Sequence, residues 1–202
     1  MTEAARTETT KEILHRYYRR NRDQLVAKLD GLGERDIRRP LTNTGTNLLG
    51  LVKHVASVQL GYFAETFDRP SDVAVPWLDE DAELNADMWA TPEESREEIL
   101  EFWRLSAEHS DETIRTLDLD SPGIVPWWPE ERNHVTLDLV LVHMLVELSR
   151  HAGHADIVRE LIDGSAGNND GNLPDQSTDD WAAYRTRLEV AAVEAERRYS
   201  GS

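Results

Sequence analysis

The sequence contains no cysteine in 202 residues. That excludes disulfides, thiolate-ligated zinc and a cysteine nucleophile, so any metal must be held by His, Asp, Glu or backbone oxygen. Basic charge is also scarce. There are 22 basic residues, only three of them Lys, against 39 acidic ones, for a formal net charge of -17. A field of that sign repels phosphate backbones, so no nucleic-acid partner is expected. The acids are spread along the chain rather than gathered in a tail. No apolar run approaches the roughly 18 residues of a membrane span, and no basic-then-apolar signal segment opens the chain. We expect a cytoplasmic protein with no membrane contact. No internal repeat is evident, and the strand signal is weak throughout.

What is present describes a globular domain. Hydrophobic residues make up 39% of the chain and include six Trp, which argues against general disorder. The length suits one domain with a substantial core. After a loose polar end at residues 1–7, Leu14, Tyr18, Leu25 and Leu29 recur at helical spacing, and Gly31 and Gly33 stop that helix. Thr46 or Asn47 caps a second helix carrying Leu48, Leu51, Val52, Val55, Val58 and Tyr62. Residues 70–90 read as a long, partly ordered connection, and connections of that length are often functional. Thr91-Pro92-Glu93-Glu94 reads as the start of a third helix running to about Leu117. A loop from Asp118 to Asn133 contains Pro126-Trp127-Trp128-Pro129. Thr136 opens the most apolar helix, ended by Gly164. A Gly/Asn/Asp-rich stretch at 165–175 then leads to a last helix capped by Asp179 or Asp180. The expected fold class is all-α: four main helices in a bundle plus a C-terminal helix.

His143, Glu147, His151 and His154 follow one another at spacings of four, four and three. At about 100° per residue they share a stripe less than a quarter-turn wide. Positions four apart lie roughly 6 Å apart along the axis, close enough for two side chains to share an ion. One helix comfortably supplies two ligands, and the third must come from elsewhere. His54 is the candidate, because it is the only His in the apolar second helix and a buried imidazole needs a polar partner. Two His and one carboxylate suit one divalent ion: zinc first, and also nickel, iron or manganese. Three protein ligands leave positions open, as in catalytic sites. Spacing alone does not separate His143 with Glu147 from Glu147 with His151. His15, His109 and His134 carry no such pattern.

The string His143-Met144-Leu145-Val146-Glu147-Leu148-Ser149-Arg150-His151-Ala152-Gly153-His154-Ala155-Asp156, followed by Arg159-Glu160 and Asp163-Gly164, resembles the DinB-like helical-bundle superfamily. Lys53-His54 and Val125-Pro126-Trp127 fit the same branch, a single-domain one of unknown function related to mycothiol-dependent maleylpyruvate isomerase and thiol S-transferases. The resemblance spans about residues 10–165. It implies a four-helix bundle with one metal near an end of its core. Matched position by position, it implies His54, Glu147 and His151 as ligands. His154 falls where the common pattern places Gln, which makes it a pocket residue. His143, one turn ahead of the pair, has the same standing. The isomerase carries a second domain for which this chain has no room, so its reaction is not expected here.

The resemblance therefore implies a metal-dependent thiol S-transferase acting on a small-molecule substrate with a low-molecular-weight thiol such as mycothiol or bacillithiol. His154 or His143 would orient a ligand or relay a proton. Arg150 and Arg159 would meet acidic groups of the thiol or substrate. Trp127 and Trp128 suit a pocket wall and core packing equally. Two alternatives stand beside this reading: a metal-dependent hydrolase, and a non-enzymatic metal-binding stress-response protein. Bundles of this family often pair, which allows a homodimer. Residues 8–165 are expected to form the metal-binding bundle, with the connection and helix of 166–202 belonging to the same domain.

Overall fold

The computed structural model describes residues 7–167, 174 and 176–200. The polar start before Thr7 and most of the Gly/Asn/Asp-rich stretch lie outside the described residues. The chain divides into two compact units, Met1–Ala166 and Gly167–Ser202. The first is the helical bundle and contains every candidate site residue. The second contains one helix, α6 (Thr178–Tyr199). Ser177 caps α6, accepting from the Asp180 amide, while the Asp180 side chain returns to the cap. The cap thus falls two residues before the predicted Asp179, because an Asp three positions on completes a reciprocal capping box.

The bundle has four long helices: α1 (Thr10–Ala27), α3 (Leu48–Ala64), α4 (Arg96–Thr116) and α5 (Leu137–Asp163). A five-residue helix, α2 (Glu34–Arg38), joins the first two. Local chemistry explains their ends. Thr9 and Glu12 form a capping box on α1, Asn47 caps α3 by accepting from the Gly50 amide, and Gly164 closes α5 in the left-handed region at φ 81°. The start of α4 differs from expectation. Ser95 caps it in a box with Glu98, and Thr91–Glu94 forms a turn instead of the first helical residues. The Glu94 carboxylate accepts from the Thr91 amide and from Lys53, and these partners draw it out of the helix.

The apolar stripes meet in one core. Tyr18 and Leu25 of α1, Val52, Val55 and Phe63 of α3, Ile99 and Ile114 of α4, and Val140, Met144 and Leu148 of α5 are all essentially sealed from solvent. Helix α3 packs most extensively on α4, and α1 on α5. Polar bonds inside each interface fix its register. Ser106 donates to the Ala56 carbonyl and Thr113 to the Phe63 carbonyl. On α5, Leu139, Val142, Val146, Ile157 and Leu161 stay exposed. Two three-residue strands, β1 (Pro122–Ile124) and β2 (His134–Thr136), pair antiparallel with Gly123 opposite Val135. They fold the expected loop back on itself and carry Trp127 and Trp128 against α3.

A buried ion pair joins α1 to α4. The Arg22 guanidinium donates two hydrogen bonds to Asp111, at 3.0 and 2.8 Å, and His15 Nε2 lies 2.8 Å from the same carboxylate. Burial pushes the Asp111 carboxyl up, but the bonds from His15 and Arg22 and the Arg22 charge outweigh it and hold its pKa at about 2. The folded value is below the unfolded one. The stabilisation is therefore complete above about pH 4 and is lost as pH falls toward 2. Asp111→Asn should cost about 2 kcal/mol in urea unfolding at pH 7. The gap between variant and wild type should shrink steadily below pH 4. A gap that persists at pH 2 would show that the charge is not its source.

Candidate metal centre

The donors come from two antiparallel helices. His54 sits in the second turn of α3, and Glu147 and His151 lie one turn apart in α5. One donor atom from each lies within 4.8 Å of the others. Glu147 Oε1 is 2.9 Å from His151 Nε2 and 3.9 Å from His54 Nε2. The two imidazole rings meet edge to face at 4.7 Å. A divalent ion bonded at about 2.1 Å in tetrahedral geometry needs donors roughly 3.4 Å apart. The three side chains are already near that spacing, and small rotations complete it.

Electrostatics suit the same purpose. Burial lowers the His151 pKa, and neighbouring His54 lowers it further, so the ring is neutral at pH 7, the form that can bind a metal. Burial would raise the Glu147 carboxyl, but the hydrogen bond from His151 and the nearby imidazoles bring it below its usual value, so it is ionised. His151 Nδ1 is buried with no hydrogen-bond partner among the described residues. The ring thus faces Glu147 through Nε2 alone. Two imidazole nitrogens and one carboxylate converging on one point fit a divalent cation.

His54 is held by a residue that sequence reasoning did not reach. Its Nδ1 lies 2.6 Å from Asp87 Oδ2, and this bond is the main cause that lowers the Asp87 carboxyl below its normal range. The carboxylate fixes the tautomer with the proton on Nδ1 and leaves Nε2 to face Glu147. Asp87 lies in the 70–90 connection, within a 3₁₀ turn at Ala86–Met88. That turn rests directly on the first turn of α3. A Cβ on Gly50 would come within 1.8 Å of the Met88 carbonyl oxygen, so only glycine permits the approach. Asn47 donates to the same carbonyl. Lys53, 1% exposed, donates to the carbonyls of Ala86 and Trp89 and pairs with Glu94 at 2.7 Å. The connection is therefore tied to the helix that carries His54.

Beside the donors runs a cleft of about 570 Å³ lined by Ser57, Val58, Gly61, Tyr62, Glu65, Leu78, Trp127, His143 and Glu147. Glu147 thus faces both the donor cluster and the cleft. His143 lies in the cleft wall, its ring 4.9 Å from that of Tyr62 and 5.2 Å from that of Trp128. The two tryptophans divide the roles that the sequence left open. Trp127 is half exposed and walls the cleft, lying against Gly61. Trp128 packs behind it and donates to the Tyr62 hydroxyl at 2.9 Å.

The other expected residues stand further out. His154 is exposed and touches His151, ring centre to ring centre 5.5 Å, without lining the cleft. Arg150 is exposed on α5. Arg159 donates to the carbonyls of Lys28 and Asp30 and pairs with Asp163, joining the end of α5 to the end of α1. Neither Arg lines the cleft. Tyr62 was legible only as an apolar helix position. Glycines at 50 and 61 inside an apolar helix are the sequence signal for close approaches on that face.

The mycothiol-S-transferase family model matches residues 13–164, three-quarters of the chain and all four long helices. The chain belongs to that family. The family is DinB-like, so the resemblance read from the α5 string holds. A conserved protein of Enterococcus faecalis, known from its crystal structure, shares the fold at a TM-score of 0.56 and 14% identity. The alignment covers 79% of this chain and 100% of that one. No curated protein gives a match. No helix among the described residues is long and apolar enough to cross a membrane.

Proposed function

We propose that this family member is a metal-dependent S-transferase that uses a low-molecular-weight thiol such as mycothiol, with His54, Glu147 and His151 as metal ligands. The supporting observation is the cleft whose wall includes Glu147, so that a molecule bound there lies against the donor cluster. A divalent cation, zinc by the donor set, would supply the charge that lowers the thiol pKa toward neutrality. The protein's own groups do the rest. Burial keeps His143 below the usual imidazole pKa, hence neutral and able to accept the thiol proton. Tyr62 and Trp127 exclude water and hold the electrophile. The sulfur pair then forms the S–C bond, and the leaving group departs with the pair of the broken bond and takes up a proton. His154 and Arg150 line no part of the cleft, so they would meet only the distal parts of a bound thiol.

The deciding experiment follows mycothiol consumption with 1-chloro-2,4-dinitrobenzene, for metal-loaded, metal-stripped and His143→Ala protein. Turnover should require metal and fall about 10²–10⁴-fold in the variant. Equal rates with and without metal would remove the reading. An ester or amide hydrolysed without thiol would favour the hydrolase alternative.

Asp87 supplies a further check. Asp87→Ala should weaken zinc binding by about 10–100-fold, because His54 loses the carboxylate that orients it. Competition with a chromophoric chelator reads this directly, and unchanged affinity would release Asp87 from the role.

A further inference from the structure

The charges along the cleft are unevenly placed. At one end stands the donor cluster, where a bound cation would add positive charge. At the other stands Glu65, the first residue beyond α3. From His54 to Glu65 the chain rises roughly 16 Å. Between them the walls are mostly apolar and aromatic, with Val58, Gly61, Tyr62, Leu78 and Trp127 beside the polar Ser57 and His143. Tyr62 and Trp127 meet edge to face at 5.0 Å, which forms a corner suited to a flat ring. Leu78 and Trp127 are both about half exposed.

No Lys or Arg lines this cleft. The adjoining hollow, which shares Glu65, adds Asp68 and again no Lys or Arg. Among the described residues no cation forms an ion pair with Glu65. The guanidinium of Arg132 stacks on Trp128, 5.3 Å from the ring centre, and its charge is felt at His143, on the donor-cluster side of the cleft. An anionic group at this end would be repelled by the Glu65 carboxylate, a cationic one attracted, and an uncharged one neither.

Resting on the S-transferase reading, we propose that the second substrate is a flat, largely apolar electrophile whose end remote from the reacting carbon is cationic or uncharged, and that Glu65 reads that charge. The thiol sulfur belongs at the donor cluster, the ring in the corner that Tyr62 and Trp127 form, and the distal group beside Glu65.

Three matched, unreactive probes test this: 2-naphthylmethyl groups bearing trimethylammonium, hydroxyl or sulfonate. Binding is measured by titration calorimetry on the metal-loaded protein without thiol. The ammonium probe should bind about tenfold or more tightly than the sulfonate, with the hydroxyl between them. In Glu65→Lys the order should level or reverse. In Asp23→Lys, a charge change of the same size on an exposed position of α1, it should persist. That control separates Glu65 from the overall net charge of -17. No binding by any probe, equal binding by all three, or an order that survives Glu65→Lys would each overturn the proposal. Because binding is read without turnover, a Glu65-dependent order in a protein that consumes no thiol would overturn the transferase reading alone and leave the ligand class standing.

Discussion

Glu147→Ala and His151→Ala should each lower zinc affinity by a few hundred- to a thousandfold. Structural zinc sites bind with about 10–16 kcal/mol shared among four ligands, so one ligand carries roughly 3–4 kcal/mol. Both positions lie within α5, where alanine is the best helix former, so the helix should persist. Neither side chain belongs to the sealed core; Glu147 is about one-third exposed. Helicity by circular dichroism should therefore match wild type while metal content after dialysis falls to background. Glu147→Gln keeps the side-chain shape and loses the charge, and should fall between. Wild-type affinity in both alanine variants would dismiss the donor triad.

Lys53→Met should lower the unfolding free energy by about 3–5 kcal/mol, the usual cost of removing one partner from a buried charge pair. Three groups lose a donor at once: the carbonyls of Ala86 and Trp89, and the Glu94 carboxylate, which keeps only the Thr91 amide. The methionine restores the apolar stem but none of the bonds, and it also loses the ammonium that stands 4.2 Å from the centre of the Trp77 ring. For a domain of this size the midpoint of thermal unfolding should drop by about 10 °C. Adding Glu94→Gln to Lys53→Met should recover part of the loss by neutralising the stranded carboxylate. The variant should also bind zinc more weakly, since the turn that carries Asp87 to His54 is the one Lys53 holds. A loss under about 1 kcal/mol would mean that Lys53 is not what ties the connection down.

The parts of the site that share a helix were legible beforehand. Glu147 and His151 stand one turn apart on α5, and the 3.6-residue repeat puts them together whatever the rest of the chain does. The same repeat gave His143 and His154 equal claims. Only the packing of α5 turns His143 into the cleft and leaves His154 outside it. His54 was legible as a polar residue in an apolar helix, but its partner was not. Asp87 lies among several acids in 70–90, and nothing local distinguishes it from Asp79 or Asp81. Its place depends on Gly50 and Lys53, which act across the fold. The early start expected for α4 failed for a similar reason: the Thr91–Glu94 signal is sound locally, yet Lys53 claims the Glu94 carboxylate. Three-residue strands are too short to leave a pattern, so β1 and β2 went unseen.

The four long helices associate mainly as two pairs, α3 with α4 and α1 with α5, while the proposed donors are drawn from both. An ion shared by them would act as a cross-link between two folding subunits rather than as a local ornament. Amide hydrogen exchange should then slow on addition of zinc on both sides of the α3–α5 boundary together, including turns far from any ligand. Substitutions buried within a single pair would change how stable that pair is. Those along the boundary would change how tightly the pairs answer to each other, and with it the spacing at which the metal is held.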